Sequence, residues 1–391
     1  MGDLARRIDA ATPAGRDRAV DALRALAILG VVLGHWLVTA LVADSGSLHG
    51  ASPLRYLPGL APVSWVFQTL AVFFVVGGQV AARGHASARA RGESYGRWLR
   101  GRLARLLRPV TVVLPVWAMA AGAMLVLGVD QDTVLTLCRL VWSPLWFLAV
   151  FALLTAATPL VARVHPLWPL AAVLIVDLYR FGLDAPGGLG TVNVVAGWLV
   201  PYCLGAARAR GELLGRRTGW TLLLGGSAAT AALVLWAGYP ATMVGVPGQA
   251  ISNLDPPTLA AVAFGLAQCG AALLLLAPLR RVLRRPAVWA AVALANVSAM
   301  TIFLWHQTAM IVVTATGLLL GGGPLPGLHT VPDGPDWVLA RLAWLPAFAV
   351  ALLICWAAFR GCERGRARGR SAVARAGRPV APAEPPARDT P

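Results

Sequence analysis

The chain has 391 residues, of which 58% are hydrophobic and 13% charged, and its mean hydropathy is +0.68. Soluble globular proteins are about 45–50% apolar and about 25% charged, so this composition excludes an ordinary soluble domain. The formal net charge is +17, and all 34 lysine-plus-arginine positions are arginine. Such a charge is typical either of nucleic-acid binding or of loops held at an anionic membrane surface, and the positions of the arginines decide between the two.

Apolar stretches of about 20 residues, long enough to cross a ~30 Å hydrocarbon layer, recur along the whole chain. Ten spans are predicted, at 22–42, 63–82, 110–129, 144–162, 166–182, 191–207, 219–238, 257–278, 296–320 and 337–358. They predict an all-α polytopic membrane protein, a bundle of about ten transmembrane helices forming one membrane domain over residues 22–358. Residues 1–21 are predicted to be a cytoplasmic N-terminal tail, and residues 359–391 a disordered basic cytoplasmic tail.

The arginines are concentrated in alternate connections between the predicted spans. They lie in the N-terminal tail, in residues 83–108, 208–217 and 280–285, and in the C-terminal tail, whereas the other connections are mostly acidic. By the positive-inside rule, both termini are predicted to be cytoplasmic in a multi-pass plasma (inner) membrane protein. The distribution follows the bilayer, so no nucleic-acid partner is predicted.

The first predicted span contains two ionisable residues, Arg24 and His35, that are eleven residues apart. Eleven helical steps make about three turns plus 20° and about 16 Å of rise, so both side chains are predicted to share one face. Arg24 would lie at the cytoplasmic mouth of the bundle. Its alternative role is that of a membrane anchor whose side chain extends to the lipid headgroups. His35 would lie deep in the bilayer, where an ionisable group is a functional candidate by default, although a packing histidine also fits.

Residues 83–108 hold eight arginines and one acid. From Arg97 onward, basic and apolar residues interleave as in an amphipathic helix at a membrane surface, and Pro109 is predicted to end this helix before the third span. Arg102 and Arg105 are one turn apart, and two guanidinium groups so placed suit a phosphate or pyrophosphate. Attraction to anionic lipid is the alternative for this segment.

Together these two patterns resemble the membrane acyltransferase-3 family. Its signatures are a basic residue, ten residues and then histidine in the first span, and Arg-x-x-Arg at the entry to the third; Arg24–His35 and Arg102–Arg105 match both. The string DALRALAILGVVLGH also resembles the family's first span. In VFFVVGGQ, which resembles the second span, Gly77 stands where many members have serine.

The resemblance implies a membrane-embedded O-acyltransferase that moves an acyl group, typically acetyl, from cytoplasmic acyl-CoA to a hydroxyl of an acceptor. The acceptor would be a sugar, an envelope polymer or a secondary metabolite. Arg24, Arg102 and Arg105 would hold the CoA phosphates, and His35 would be the catalytic base or an acyl relay. His306 and Gln307, adjacent within IFLWHQ in the ninth predicted span, are candidates for the acceptor pocket. No metal is expected.

Two other functions fit the span count. A secondary transporter of a small amphiphilic solute is the main alternative, but transporters often contain half-chain repeats, and residues 20–190 and 190–358 show no convincing similarity. A non-catalytic scaffold would leave His35 without a role. Among the remaining polar residues, Asp177 and Arg180 are expected to form a structural pair. The four loop histidines, His49, His85, His165 and His329, are expected to be solvated.

Overall fold

The computed structural model describes residues 2–183, 186–213, 215–320 and 322–362, which are mostly helical. The helices are α1 (Gly2–Ala10), α2 (Arg18–Val38), α3 (Pro53–Tyr56), α4 (Ala61–Ser64), α5 (Leu70–Ala90), α6 (Tyr95–Leu107), α7 (Val110–Val126), α8 (Gln131–Trp142), α9 (Leu145–Ala156), α10 (Thr158–Val161), α11 (Leu167–Asp177), α12 (Thr191–Ala209), α13 (Arg216–Trp236), α14 (Leu259–Val282), α15 (Pro286–Val297), α16 (Ala299–Leu320) and α17 (Pro335–Phe359). Two strands, β1 (Ala40–Asp44) and β2 (Ser47–Ala51), follow α2. The predicted C-terminal tail lies outside the described residues from 363 onward.

The predicted all-α membrane bundle is confirmed. Eight segments of the described chain are long and apolar enough to cross a membrane, namely Arg18–Val38, Tyr95–Val126, Gln131–Ala156, Gly187–Ala209, Arg216–Trp236, Leu259–Val282, Ala299–Leu320 and Pro335–Phe359. The two further predicted spans fall on α5 and α11. Helix α5 has 21 residues, enough for about 31 Å of rise, but arginines in its last turns lower its hydropathy. Helix α11 has 11 residues and continues as a π-helical turn, Leu178–Gly182.

The first span ends earlier than the hydropathy predicts. The prediction placed its end at residue 42, whereas α2 stops at Val38 and β1 begins at Ala40, paired antiparallel with β2. The two turn residues, Ser45 and Gly46, have φ values of 50° and 84°. Positive φ at both central positions is the geometry that matches strand twist in a two-residue hairpin. Apolar residues continue through β1, so hydropathy alone does not separate strand from helix.

The basic segment before the third span forms the predicted amphipathic helix. Helix α6 ends at Leu107, and Pro109 is the N-cap of α7. Trp98 is the buried residue of α6, whereas Arg97, Arg100 and Arg105 are exposed. The helix therefore lies with Trp98 against the bundle and these three arginines outward.

Helices α5 and α12 cross with their backbones in contact. A Cβ atom added to Gly78 would collide with the carbonyl oxygen of Tyr202, and one added to Gly205 would collide with that of Val75. Small residues permit this close approach between membrane helices. Gly77, beside this crossing, faces the ring of Phe151, so the ring takes the space that a serine side chain would need.

Candidate active site

A cavity of about 480 Å³ reaches His35 on α2. Its lining includes Gln307 and Phe303 of α16, together with residues of the β-hairpin and of the connections around 64–70, 140–147 and 244–257. This volume is within the range of small-molecule sites. The cavity places the imidazole of His35 against a space that can hold a ligand.

His35, His306 and Gln307 meet where α2 packs against α16. The amide nitrogen of Gln307 is 2.9 Å from Nδ1 of His35, and the ring centroids of His35 and His306 are 5.0 Å apart. His306 is fully buried and lies beside His35 rather than in the cavity lining. Its Nδ1 is 2.6 Å from the carbonyl oxygen of Phe303, and its Nε2 has no partner among the described residues. Of the two predicted pocket residues, Gln307 alone lines the cavity.

The Gln307 amide can set the tautomer of His35. With its N–H group donating to Nδ1, the neutral imidazole carries its proton on Nε2. The amide oxygen Oε1 is buried and has no partner in the described part of the chain. A half-turn of the amide, which exchanges two groups of nearly equal shape, makes Oε1 accept from Nδ1–H and leaves the Nε2 lone pair available. Gln307 can therefore support His35 before and after it gains a proton.

Arg341 of α17 fixes the C-terminal end of α2 from inside the bundle. It is 1% exposed. Its Nε donates to the carbonyl oxygen of Trp36 at 2.6 Å, and Nη2 donates to that of Thr39 at 2.6 Å. Nη1 donates to the carbonyl oxygen of Gly327 at 2.9 Å. The last carbonyls of a helix lack intrahelical partners and carry its negative dipole end, so a guanidinium group suits this position.

Trp36 links the same helix end to α16, because its indole N–H donates to the carbonyl oxygen of His306 at 2.9 Å. His35 is thus held between Arg341 and the His306–Gln307 pair. No role was predicted for Arg341 from the sequence. One feature of the sequence could have indicated its importance. Arg341 lies inside an apolar span next to an acidic connection, where the positive-inside rule does not favour an arginine.

Arg24 lies near the other end of α2. Its Nε donates to Oδ1 of Asn296 at 2.5 Å, and its Nη2 is 3.2 Å from a carboxylate oxygen of Asp21. Asp21, three residues before Arg24 on α2, therefore forms an ion pair with it. These two contacts hold the half-buried guanidinium inside the mouth of the bundle rather than extended toward lipid headgroups.

Arg102 bends from α6 onto α5. Its Nη2 donates to the carbonyl oxygen of Val80 at 3.2 Å, and its guanidinium is 6.0 Å from the ring centre of Trp98. A Cβ atom added to Gly84 would collide with Nη2 of Arg102. The missing side chain of Gly84 therefore makes the space in which this guanidinium lies.

Arg24, Arg102 and Arg105 form one basic group, since the charge of Arg102 interacts repulsively with those of the other two. Arg105 is exposed, and its Nε donates to the carbonyl oxygen of Gly101 at 3.0 Å. Within the described residues, no carboxylate lies within 4.0 Å of Arg102 or Arg105. Repelling cations that lack acidic partners favour an anionic ligand.

One face of α2 joins the two ends of the site. Residues 24, 28, 31 and 35 follow one another at helical spacing. Val31 and His35 line the cavity, whereas Ile28 is 6% exposed and packed in the core, and none of the three arginines belongs to the lining. The cavity therefore extends one turn from His35 toward Arg24 and stops at Ile28.

Two expectations about other polar residues have different outcomes. Asp177 does pair with Arg180, with 3.7 Å between carboxylate and guanidinium. His329, expected to be solvated, is fully buried; its Nε2 is 2.7 Å from the carbonyl oxygen of Thr314, and its Nδ1 accepts from the N–H of Leu325. The loop that contains His329 folds back onto α16, which the sequence around it does not indicate. His49 and His165 are exposed as expected.

Replacing Arg341 with methionine is expected to destabilise the protein. The carbonyl groups of Trp36, Thr39 and Gly327 would lose their donor, and each buried unpaired acceptor costs about 1–3 kcal/mol. Thermal unfolding of detergent-purified protein should show a midpoint several degrees lower. The control is Arg360→Met, because exposed Arg360 lies over Trp356 at 4.7 Å. Equal midpoints for the two variants would contradict the role of Arg341.

Comparison with known proteins gives one match. Residues 17–360 match the acyltransferase-3 family, described as an acyltransferase domain. No curated protein and no solved structure matches the chain. The matched region extends from the residue before α2 to the end of α17 and contains all six predicted site residues. The chain belongs to the membrane acyltransferase-3 family.

Proposed function

We propose that this membrane acyltransferase takes its acyl group from cytoplasmic acyl-CoA and transfers it to a hydroxyl of a carbohydrate or other small acceptor. The observation that carries the proposal is the arrangement along α2. Arg24, Arg102 and Arg105 lie at one end, the last two with no carboxylate within 4.0 Å among the described residues, and His35 faces a cavity near the other. The protein would lie in the plasma membrane with its arginine-rich face in the cytoplasm, as the positive-inside rule predicts.

The basic group suits the phosphates of the donor. Arg102 and Arg105 lie on α6 beside the mouth of the bundle, and Arg24 lies within it. Charge-assisted hydrogen bonds from these guanidinium groups would hold the pyrophosphate. The pantetheine arm would then extend along the face of α2 toward His35, passing Ile28.

His35 would act through the lone pair of Nε2. As a general base, it takes the proton of the acceptor hydroxyl while the oxygen attacks the thioester carbonyl. The C–S bond breaks, and the CoA thiolate recovers that proton from the imidazolium. As a relay, Nε2 itself attacks the carbonyl and displaces the thiolate. The acceptor hydroxyl then takes the acyl group from the imidazole, and its proton passes to the CoA thiolate. Both routes need Nδ1–H to donate to Oε1 of Gln307.

The cavity supplies features of an acceptor site. Phe67, Trp146 and Phe147 contribute aromatic surface, and Ser143 and Asp255 contribute polar groups. Aromatic walls with a few polar groups suit a ligand that has both apolar faces and hydroxyls, such as a sugar. The cavity is bordered by connections that hold few arginines, so we assign acceptor entry to the outer side, opposite the donor.

Acyl transfer by purified protein is the direct test of this proposal. Wild-type protein should release CoA from acetyl-CoA when a hydroxyl acceptor is present, and His35→Ala should lose this activity by at least about 100-fold. His49→Ala, which changes an exposed histidine of the hairpin, is the control and should keep full activity. Wild-type rates in His35→Ala would remove the assignment of His35. Failure of the wild type to bind CoA would favour the secondary transporter.

Adding a methyl group at Gly84 should impair donor binding without changing a charge. Gly84→Ala would displace the guanidinium of Arg102, since the new Cβ collides with its flexible end, and KM for acetyl-CoA should rise about tenfold. Gly96→Ala is the matched control, because the space around Gly96 is open. The double variant Arg102→Gln/Arg105→Gln should raise KM further. Unchanged KM in both would show that the donor binds elsewhere.

Enlarging Ile28 should separate donor binding from transfer. Ile28→Phe would obstruct the face of α2 between Arg24 and His35, so kcat should fall at least tenfold while affinity for CoA stays the same. Leu29→Phe is the control, because Leu29 is 51% exposed on the outside of the same turn. A normal kcat in Ile28→Phe would mean that the thioester reaches His35 by another path.

A further inference from the structure

Arg208 is a buried cation that makes no hydrogen bond to any of the described residues. It lies in the last turn of α12 and is 7% exposed. Its Nε is wholly buried and has no hydrogen-bond partner in the described part of the chain. No described residue accepts a hydrogen bond from this side chain, and none places a carboxylate within 4.0 Å of it. Burying an unpaired charge is costly, so a guanidinium in this position indicates an anion that binds to it.

The charges around Arg208 are mostly of its own sign. Arg83 of α5 and Arg280 of α14 repel it, and Asp17 attracts it. Oδ2 of Asp17 accepts a hydrogen bond from Nη2 of Arg280 at 2.8 Å, and Oδ1 of Asp17 is buried with no hydrogen-bond partner among the described residues. Arg83 and Arg280 are exposed, so this second basic group consists of two arginines open to solvent and the buried Arg208.

Arg210, two residues after Arg208, differs from it because its charge is neutralised by a carboxylate. Its Nε and Nη2 donate to the two carboxylate oxygens of Glu212 at 2.7 and 2.9 Å. These hydrogen bonds hold the pKa of the Glu212 carboxyl below its usual value. The end of α12 thus provides an acid for the exposed arginine and none for the buried one.

The second basic group adjoins the first. Val80, whose carbonyl oxygen accepts from Arg102, is three residues before Arg83 on α5, which is less than one turn of about 5.4 Å. The Gly78 and Gly205 contacts fix α5 against α12. Two groups of guanidiniums therefore lie side by side at one end of the bundle.

We propose that Arg208, with Arg83 and Arg280, binds the 3′-phosphate of CoA, an inference that rests on the proposed donor. CoA carries two phosphate centres, a pyrophosphate attached to pantetheine and a monoester on the ribose. The arm that reaches His35 starts at the pyrophosphate, which assigns the pyrophosphate to Arg24, Arg102 and Arg105. The 3′-phosphate monoester would then bind to the neighbouring group of Arg208, Arg83 and Arg280. A phospholipid headgroup shares this phosphate chemistry, and the experiment separates the two sources.

The test compares CoA with dephospho-CoA, which lacks only the 3′-phosphate. Binding of each is measured to the full chain in phosphatidylcholine nanodiscs, with and without phosphatidylglycerol. Wild-type protein should bind CoA at least about tenfold more tightly than dephospho-CoA, as expected for charge-assisted hydrogen bonds. Arg208→Gln should abolish this ratio and leave the affinity for dephospho-CoA unchanged. Arg210→Gln, the matched control, should keep the ratio.

A folding defect in Arg208→Gln would not decide the question, so a second variant is needed. Arg83→Gln alters an exposed side chain and should lower the ratio in the same direction. An unchanged ratio in both variants, or an equal loss for both ligands, overturns the inference. So does a variant that keeps its ratio and loses only a response to phosphatidylglycerol, because the phosphate is then a lipid headgroup. Wild-type protein that binds neither nucleotide overturns the acyl-CoA proposal itself.

Discussion

The C-terminal end of α2 must satisfy its carbonyl groups inside an apolar bundle, and Arg341 does so. Three carbonyl oxygens share one guanidinium at 2.6–2.9 Å, and the residue before the first of them is His35. In an apolar interior, unpaired backbone groups are expensive, so this end of the helix has little freedom to shift. The imidazole is therefore held by backbone contacts, and Gln307 has only to orient its ring.

Charge divides the site into two halves that share one helix. The arginine group at the mouth attracts anions, whereas the cavity at His35 combines aromatic walls with uncharged polar groups and Asp255. The proposed polyanionic donor and neutral, hydroxylated acceptor would thus be drawn to different ends, and they would not compete for one space. Ile28 is the boundary between these halves, packed into the core on the path that the donor arm would take to His35.

The sequence predicted what depends on local periodicity. Hydropathy located the spans, Pro109 marked the end of α6, and eleven helical steps placed Arg24 and His35 on one face. It also selected Gln307, although as a pocket residue rather than as the partner of Nδ1. The features that were not predicted depend on contacts between distant segments. They are the backbone acceptors of Arg341, the burial of His329 and the burial of Arg208 away from any carboxylate that could pair with it. The hairpin after Val38 escaped because its first strand is as apolar as a helix.

The crossing of α5 and α12 has a consequence for substrate selection. No side chain separates the two backbones at Gly78 and Gly205, so neither helix can slide without a collision. The backbone of α5 that carries Gly84, beside which the guanidinium of Arg102 lies, and the backbone of α12 that carries Arg208 are consequently held at a spacing set by main-chain contacts. Such a rigid frame would select a nucleotide by the distance between its phosphates as well as by their charge.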